Sequence, residues 1–406
     1  MKSYIKQAFV LAIAGFSLMA NAQQDSMATQ VLSTLDMQMA QSPPGATDDW
    51  KPGKSRFLLR GYAHSGLEMS KENISFVGGS FNPIFIFRQS DKLIFESELE
   101  AELDGNALNI GLEYADMSYL LTKSITLRAG KILVPFDIFI PNLHPAWINK
   151  FPSKPLGAGH GGILPSADIG LELRGAGYLG KVKANYAIYV VNGPQLNDGS
   201  EEPEEGGILH FDIVPDNNKR KSVGGRVGFF PMSNSTLELG FSGMYGKVGA
   251  KDTRYEDVAS LLYGADLSFV HNLPGIRSVL DVKAQYAMSR VDDAEYPVPE
   301  NTNESYTFDN KSTAWFAQLS LRPAFVENKF FQNVEIAGRY SVLKTPEDAH
   351  WAVDQKQWEI GLNYWLDWRT LPKFTYRRVS GEVATHNGEE EGPGGNAILI
   401  HWAIGF

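Results

Sequence analysis

From Arg56 to the last residue, large apolar side chains alternate with polar or small ones in short runs. A period of two is the mark of a β-strand with one oily face. The last run shows it most clearly: Ile398, Ile400, Trp402, Ile404 and Phe406 share one face, and Ala397, Leu399, His401, Ala403 and Gly405 the other. Read along the chain, the pattern predicts sixteen strands, at 56–69, 81–88, 92–103, 107–120, 124–133, 166–179, 181–191, 220–231, 235–246, 258–271, 276–290, 312–324, 330–343, 355–366, 372–380 and 396–406. Joins at 89–91, 122–123, 180, 231–234, 272–275, 327–329 and 367–371 are short. Those between them, such as 134–165, 192–219, 291–311 and 381–395, are mostly long, rich in Pro and Gly, and acidic. Strands of ~9–11 residues suffice to cross a bilayer when tilted, and an edge this apolar would aggregate if left open. In lipid only a closed cylinder satisfies every backbone group. The expected fold is therefore all-β, a transmembrane antiparallel barrel of about sixteen strands with short turns on one side and long loops on the other.

The alternation also assigns faces. It turns Phe57, Leu59, Leu67, Leu93, Phe95, Leu99, Ala101, Leu103, Ile169, Leu171 and Leu173 toward lipid. It turns Arg60, His64, Glu68, Lys92, Glu96, Glu98, Glu100, Glu102, Asp168, Glu172, Arg174, Lys181, Lys183 and Asn185 inward. Arg128, Lys131, Arg226, Lys283, Arg322, Arg339 and Arg377 join them as pore-lining bases, opposed by Glu113, Glu238, Asp266, Asp281, Glu335 and Glu359. A lysine or arginine on the lipid face at the bilayer midplane costs ~2–4 kcal/mol, so this many charges require a solvated interior. Sixteen strands enclose a cylinder too wide for side chains to fill, so water enters. Inward acids and bases nearly balance, which predicts modest ion preference.

The first 55 residues break the pattern. Lys2 and Lys6, an apolar run from Ala8 to Ala20 and the small-x-small step Ala20-Asn21-Ala22 predict an export signal over 1–22, too short to span as a helix. Residues 23–55 hold a weak helical face (Met27, Val31, Leu32, Leu35, Met39) and then two Pro/Gly breaks, which predicts a periplasmic leader; a plug is the other version. The barrel then occupies 56–406. No long uncharged apolar run remains, so no transmembrane helix is expected. The chain has 39 glycines, 23 Phe, 16 Tyr and 8 Trp, which suits close strand packing and interfacial aromatic girdles. It has no cysteine, which excludes disulfides and thiolate metal sites. The net charge of -10, without basic clusters, argues against nucleic acid.

One long segment is rich in Pro, Asn, His and aromatics rather than acids. Arg128-Ala-Gly-Lys131-Ile-Leu-Val-Pro135-Phe136-Asp137 leads into Leu143-His144-Pro145-Ala146-Trp147-Ile148-Asn149-Lys150 and on to Gly162-Ile-Leu-Pro165-Ser166-Ala-Asp168. With Leu93 to Glu100 and Tyr186 to Gly193, it resembles the porin O and P family, the phosphate-selective-type outer-membrane porins, over about residues 80 to 195. The resemblance implies passage of small hydrophilic solutes or ions, including anions such as phosphate. It implies a homotrimer in the bacterial outer membrane, bedded in lipid and lipopolysaccharide. It also implies that 134–165 folds into the lumen as a constriction carrying Pro135, Asp137, His144, Trp147, Asn149 and Lys150.

Other motifs have plainer readings. Gly157-Ala-Gly159-His-Gly-Gly162 fits G-x-G-x-x-G, yet prolines flank it where a dinucleotide site needs a strand and a helix. His144 and His160 lack histidine or cysteine partners at metal-ligand spacing, so no metal or cofactor is expected. His210 and Asp212 share a face and would suit a barrel hydrolase, but no further acid or histidine can be assigned beside them. The Glu201–Glu205 and Glu389–Glu391 runs are solvated loops, or divalent-cation contacts to lipopolysaccharide. A diffusion channel, not an enzyme, is the function expected; a barrel hydrolase and an adhesin with a plugged lumen are the alternatives.

Overall fold

The computed structural model describes residues 56–71, 73–104, 107–158, 162–232, 234–382, 385–386, 389–390 and 395–406. The expected export signal and leader, His160 and Glu391 lie outside the described residues.

Sixteen strands close into one barrel. They are β1 (Arg56–Ser70), β2 (Ile74–Arg88), β3 (Leu93–Asp104), β4 (Ala107–Leu120), β5 (Ile125–Leu133), β6 (Ala167–Leu179), β7 (Val182–Val191) and β8 (Ser222–Phe230). Then follow β9 (Leu237–Lys247), β10 (Ala259–Leu273), β11 (Ser278–Val291), β12 (Lys311–Arg322), β13 (Val334–Lys344), β14 (Asp354–Tyr364), β15 (Thr370–Glu382) and β16 (Ala397–Gly405). Each pairs antiparallel with its sequence neighbour, and β1 closes on β16 from Tyr62↔Gly405 to Ser70↔Ala397. Phe406 completes the seam: its backbone exchanges hydrogen bonds with Gly61 at 2.9 and 3.1 Å, and its ring stacks on Phe81 at 5.7 Å. Among the described residues no helix is long and apolar enough to cross a membrane.

Every predicted strand has its counterpart, and the faces follow the alternation. Ile400, Trp402 and Ile404 are exposed on the outside while Ala397, Leu399, His401 and Ala403 are buried within. Two boundaries differ by more than two residues, and one register shifts. β2 begins at Ile74 rather than 81, because the Gly78-Gly79 pair that breaks the pattern sits in a bulge inside the strand opposite His64/Ser65. The predicted short turn 327–329 is longer. A single helical turn, Lys329–Gln332, capped by the Asn328 side chain, takes the apolar pair Phe330-Phe331 and delays β13 to Val334. In β4 an extra residue near Glu113 shifts the register against Glu98/Leu99, which sends Tyr114 and Asp116 inward.

Candidate functional site

The end of β5 delivers the chain to the segment 134–166, whose base is closed by a Val134 N–H bond to Ser166 O at 3.0 Å. Pro135 is buried there with no N–H left unpaired. Asp137 then takes a left-handed φ of 56° and turns the chain into the barrel. Its N–H donates to Ser242 Oγ on β9 at 2.9 Å, and the N–H groups of Ile138 and Phe139 share Gln285 Oε1 on β11 at 3.3 and 3.0 Å. A helical turn, Phe139–Leu143, buries Phe139 edge-on to Phe316 at 5.9 Å. His144 follows, its Nδ1 2.5 Å from Ile140 O and its ring edge-on to Tyr62.

From there the segment crosses to the opposite wall and is fixed by charge. Lys373 Nζ donates to Ala146 O and Asn149 O, both at 2.5 Å. Lys150 Nζ pairs with Glu335 at 2.7 Å and lies over the Trp365 ring, whose Nε1 donates to the same carboxylate at 3.0 Å. Arg339 bonds Glu359 through Nε at 2.6 Å, Asn149 Oδ1 at 3.2 Å and Ser153 O at 2.7 Å. Trp147 packs edge-on to Trp368 and against Gly405, near the end of β16. The segment therefore spans the lumen from β5 to β13–β15. All six predicted loop residues lie in it, and Asn149 and Lys150 lie at its far anchor.

The remaining lumen is lined by paired charges. Arg128 forks onto Asp116 at 2.5 and 3.0 Å and reaches Glu172 at 2.7 Å, and Arg174 binds the other Glu172 oxygen. Arg226 is bidentate to Asp266 at 2.6 and 2.9 Å and meets Glu238 at 3.1 Å. Lys283 pairs with Asp281, and Arg377 with Glu68, both at 2.6 Å. Lys183 lies over Phe230, Arg322 binds Gln332 O and Asn333, and Arg60 is half-buried on the inner face of β1. Glu96 and Glu98 differ in accepting from phenols, Tyr114 at 2.8 Å and Tyr62 at 2.7 Å. Among the described residues no lysine or arginine forms an ion pair with Glu96, Glu98, Glu100 or Glu113, so β3 and β4 present an acidic wall.

Two predicted pore bases are elsewhere. Lys131 pairs in register with Ala115 and Ile169, the alternation of outward Leu127, and its long stem carries Nζ to Asp212 at 2.6 Å. Lys181 is exposed in the Gly180–Lys181 turn, since β7 starts one residue later. Lys373 was missed although it shares the parity of Arg377, a signal that was present in the sequence. Asp116 was hidden by the bulge in β4. His210 and Asp212 part company: His210 lies 3.6 Å from Glu205 and 3.3 Å from Asn197, while Asp212 holds Lys131. No group of metal-ligating side chains is found among the described residues.

In the inward segment, Asp137 and His144 are shifted. Burial opposes the His144 cation, but Glu98, at 4.0 Å, with Glu113 and the Ile140 carbonyl outweighs it and raises the imidazole above its ordinary value. Burial first, then Asp266, pushes the Asp137 carboxyl well up against the pull of Arg226. Both its oxygens lack a hydrogen-bond partner.

No protein-family model and no curated protein sequence matches the chain. Solved structures do. The outer membrane channel DcaP of Acinetobacter baumannii superposes with a TM-score of 0.54 at 9% identity, covering 87% of this chain and 97% of that one. An anion-selective porin from Comamonas acidovorans gives 0.52 at 13%, covering 87% and 100%. OmpT, an outer membrane protein of Vibrio cholerae in its trimer form, gives 0.52 at 12%, covering 87% and 99%. The fold is that of outer-membrane barrels.

Proposed function

We propose that the chain is a porin of the bacterial outer membrane, passing small hydrophilic solutes and ions by diffusion through a lumen narrowed by the segment 134–166. The observation that carries this is the loop's anchorage: a closed barrel with a charged interior, crossed by one segment tied to the far wall by Lys150, Arg339 and Lys373. A solvated interior is what so many lumen-facing charges require. Selectivity is weak. A phosphate-selective channel needs guanidinium and ammonium groups free to take the anion, whereas Arg128, Arg226 and Arg339 are already held by carboxylates and β3–β4 is acidic. This reading departs from the phosphate preference implied by the porin O and P resemblance and keeps the rest of it. On this reading the barrel assembles as a homotrimer in lipid and lipopolysaccharide; the trimer form of the Vibrio cholerae OmpT supports the first of these. A hydrolase finds no support at His210 and Asp212, which face different partners.

Liposome swelling with a size series of uncharged sugars tests the reading. Reconstituted protein should admit monosaccharides quickly and larger oligosaccharides progressively more slowly. Swelling no faster than in protein-free liposomes would favour a plugged barrel.

A further inference from the structure

Above the anchored segment, at the end of the barrel with the long loops, lies a cavity of about 500 Å³. That volume falls in the range of small-molecule sites. Its lining contrasts with the rest of the lumen. Leu156 of the inward segment, Leu209 and Phe211 of the 192–221 loop, Leu343 of β13 and Trp351 of the next loop make most of the wall apolar. Trp351 Nε1 donates to Gly206 O at 3.0 Å, which joins two outer loops over the cavity. Among the described residues that line it, Lys154 is the single charged one, and it is exposed. It has no ion-pair partner among the described residues. Beside it, Gln355 and Gln357 are 2% and 1% exposed, yet Gln355 Nε2 and Gln357 Oε1 have no hydrogen-bond partner. A buried amide atom left unpaired is destabilising, so a ligand that pairs both relieves that cost.

We propose that this chamber is a binding site for monocarboxylates with an apolar, ring-sized body, such as aromatic acids. The carboxylate accepts from Lys154 Nζ and Gln355 Nε2, the ring packs on Phe211, Leu209 and Trp351, and a hydroxyl on the ring donates to Gln357 Oε1. Among the described lining residues a dianion such as phosphate finds one cation and mostly apolar walls, and a neutral sugar leaves Lys154 unused. The inference rests on the porin reading for its meaning, as a site that loads a solute before the constriction, but its binding step is measurable without transport.

Isothermal titration of benzoate, benzamide and acetate into the folded, detergent-solubilised full chain tests it, with conductance in potassium chloride recorded in parallel on the same preparation. Benzoate should bind saturably, with benzamide and acetate at least tenfold weaker, since one lacks the charge and the other the ring. Lys154→Gln and Phe211→Ser should each weaken benzoate about tenfold in variants whose heat-modified mobility shows a folded barrel. Equal weak heats for all three probes, or benzoate binding unchanged in both variants, would overturn the proposal. A protein that conducts without binding loses the chamber and keeps the porin; one that binds without conducting does the reverse.

Discussion

At the scale of single residues, the loop anchor is a set of buried ion pairs, and such pairs are costly to break from one side. Removing one partner strands the other, at about 3–5 kcal/mol. Glu335→Leu leaves Lys150 over Trp365 without its carboxylate. The variant should lower the denaturant midpoint of the folded, heat-modifiable form and increase open-channel current noise as the segment comes loose. An unchanged midpoint and quiet channel would place the anchor elsewhere. The loop also answers to pH. A raised His144 contributes stability that is complete below the ordinary imidazole value of about 6.5 and is lost as pH rises through the raised one. The raised Asp137 carboxyl has the same sign: its contribution is complete below the ordinary carboxylate value of about 3.9 and is lost as pH rises through the raised one. Closing events should therefore become more frequent as pH rises above about 6.5, and the double variant His144→Gln/Asp137→Asn should flatten the profile. Much of this scale was legible. Parity placed Arg128, Arg226, Arg339 and Arg377 inside, and it also covered the overlooked Lys373. Which carboxylate each base meets was not legible, because pairs such as Lys150–Glu335 and Arg339–Asn149 are fixed by where a loop lands, not by strand alternation.

At the scale of strands, apolar alternation carried nearly everything, because one slipped residue turns a whole face to the wrong solvent. It failed where backbone geometry interrupts the period of two. Gly78-Gly79 concealed half of β2, and the extra residue near Glu113 reversed the second half of β4. Gly130 shows how tight such places are: its φ is +133°, and a Cβ there would stand 2.3 Å from Ala115 O of the paired strand. Gly130→Ala should cost about 1–3 kcal/mol and reduce the folded fraction on refolding, read from the heat-modifiable band. On the outer face, Ile400 lies mid-strand and 38% exposed. Ile400→Lys should cost about 2–4 kcal/mol in lipid, whereas Ile400→Leu should be near neutral in the same refolding assay.

At the scale of the whole molecule, the field inside the barrel decides what passes. Most lumen bases are neutralised by a neighbouring acid, and the acids left over sit on β3 and β4 opposite the anchored loop. In the proposed channel such an arrangement gives a strong field across the pore and little net charge along it, so ions of both signs should pass with a slight preference for cations. The resemblance over residues 80 to 195 foretold the inward loop, but it could not reveal that the arginines are spent on carboxylates. The most direct measurement is the reversal potential of single channels in a potassium chloride gradient across a planar bilayer. The account predicts stable conductance with a small reversal potential of cation-selective sign, unaltered by millimolar phosphate. A strongly anion-selective potential with phosphate block, or no conductance at all, would contradict it.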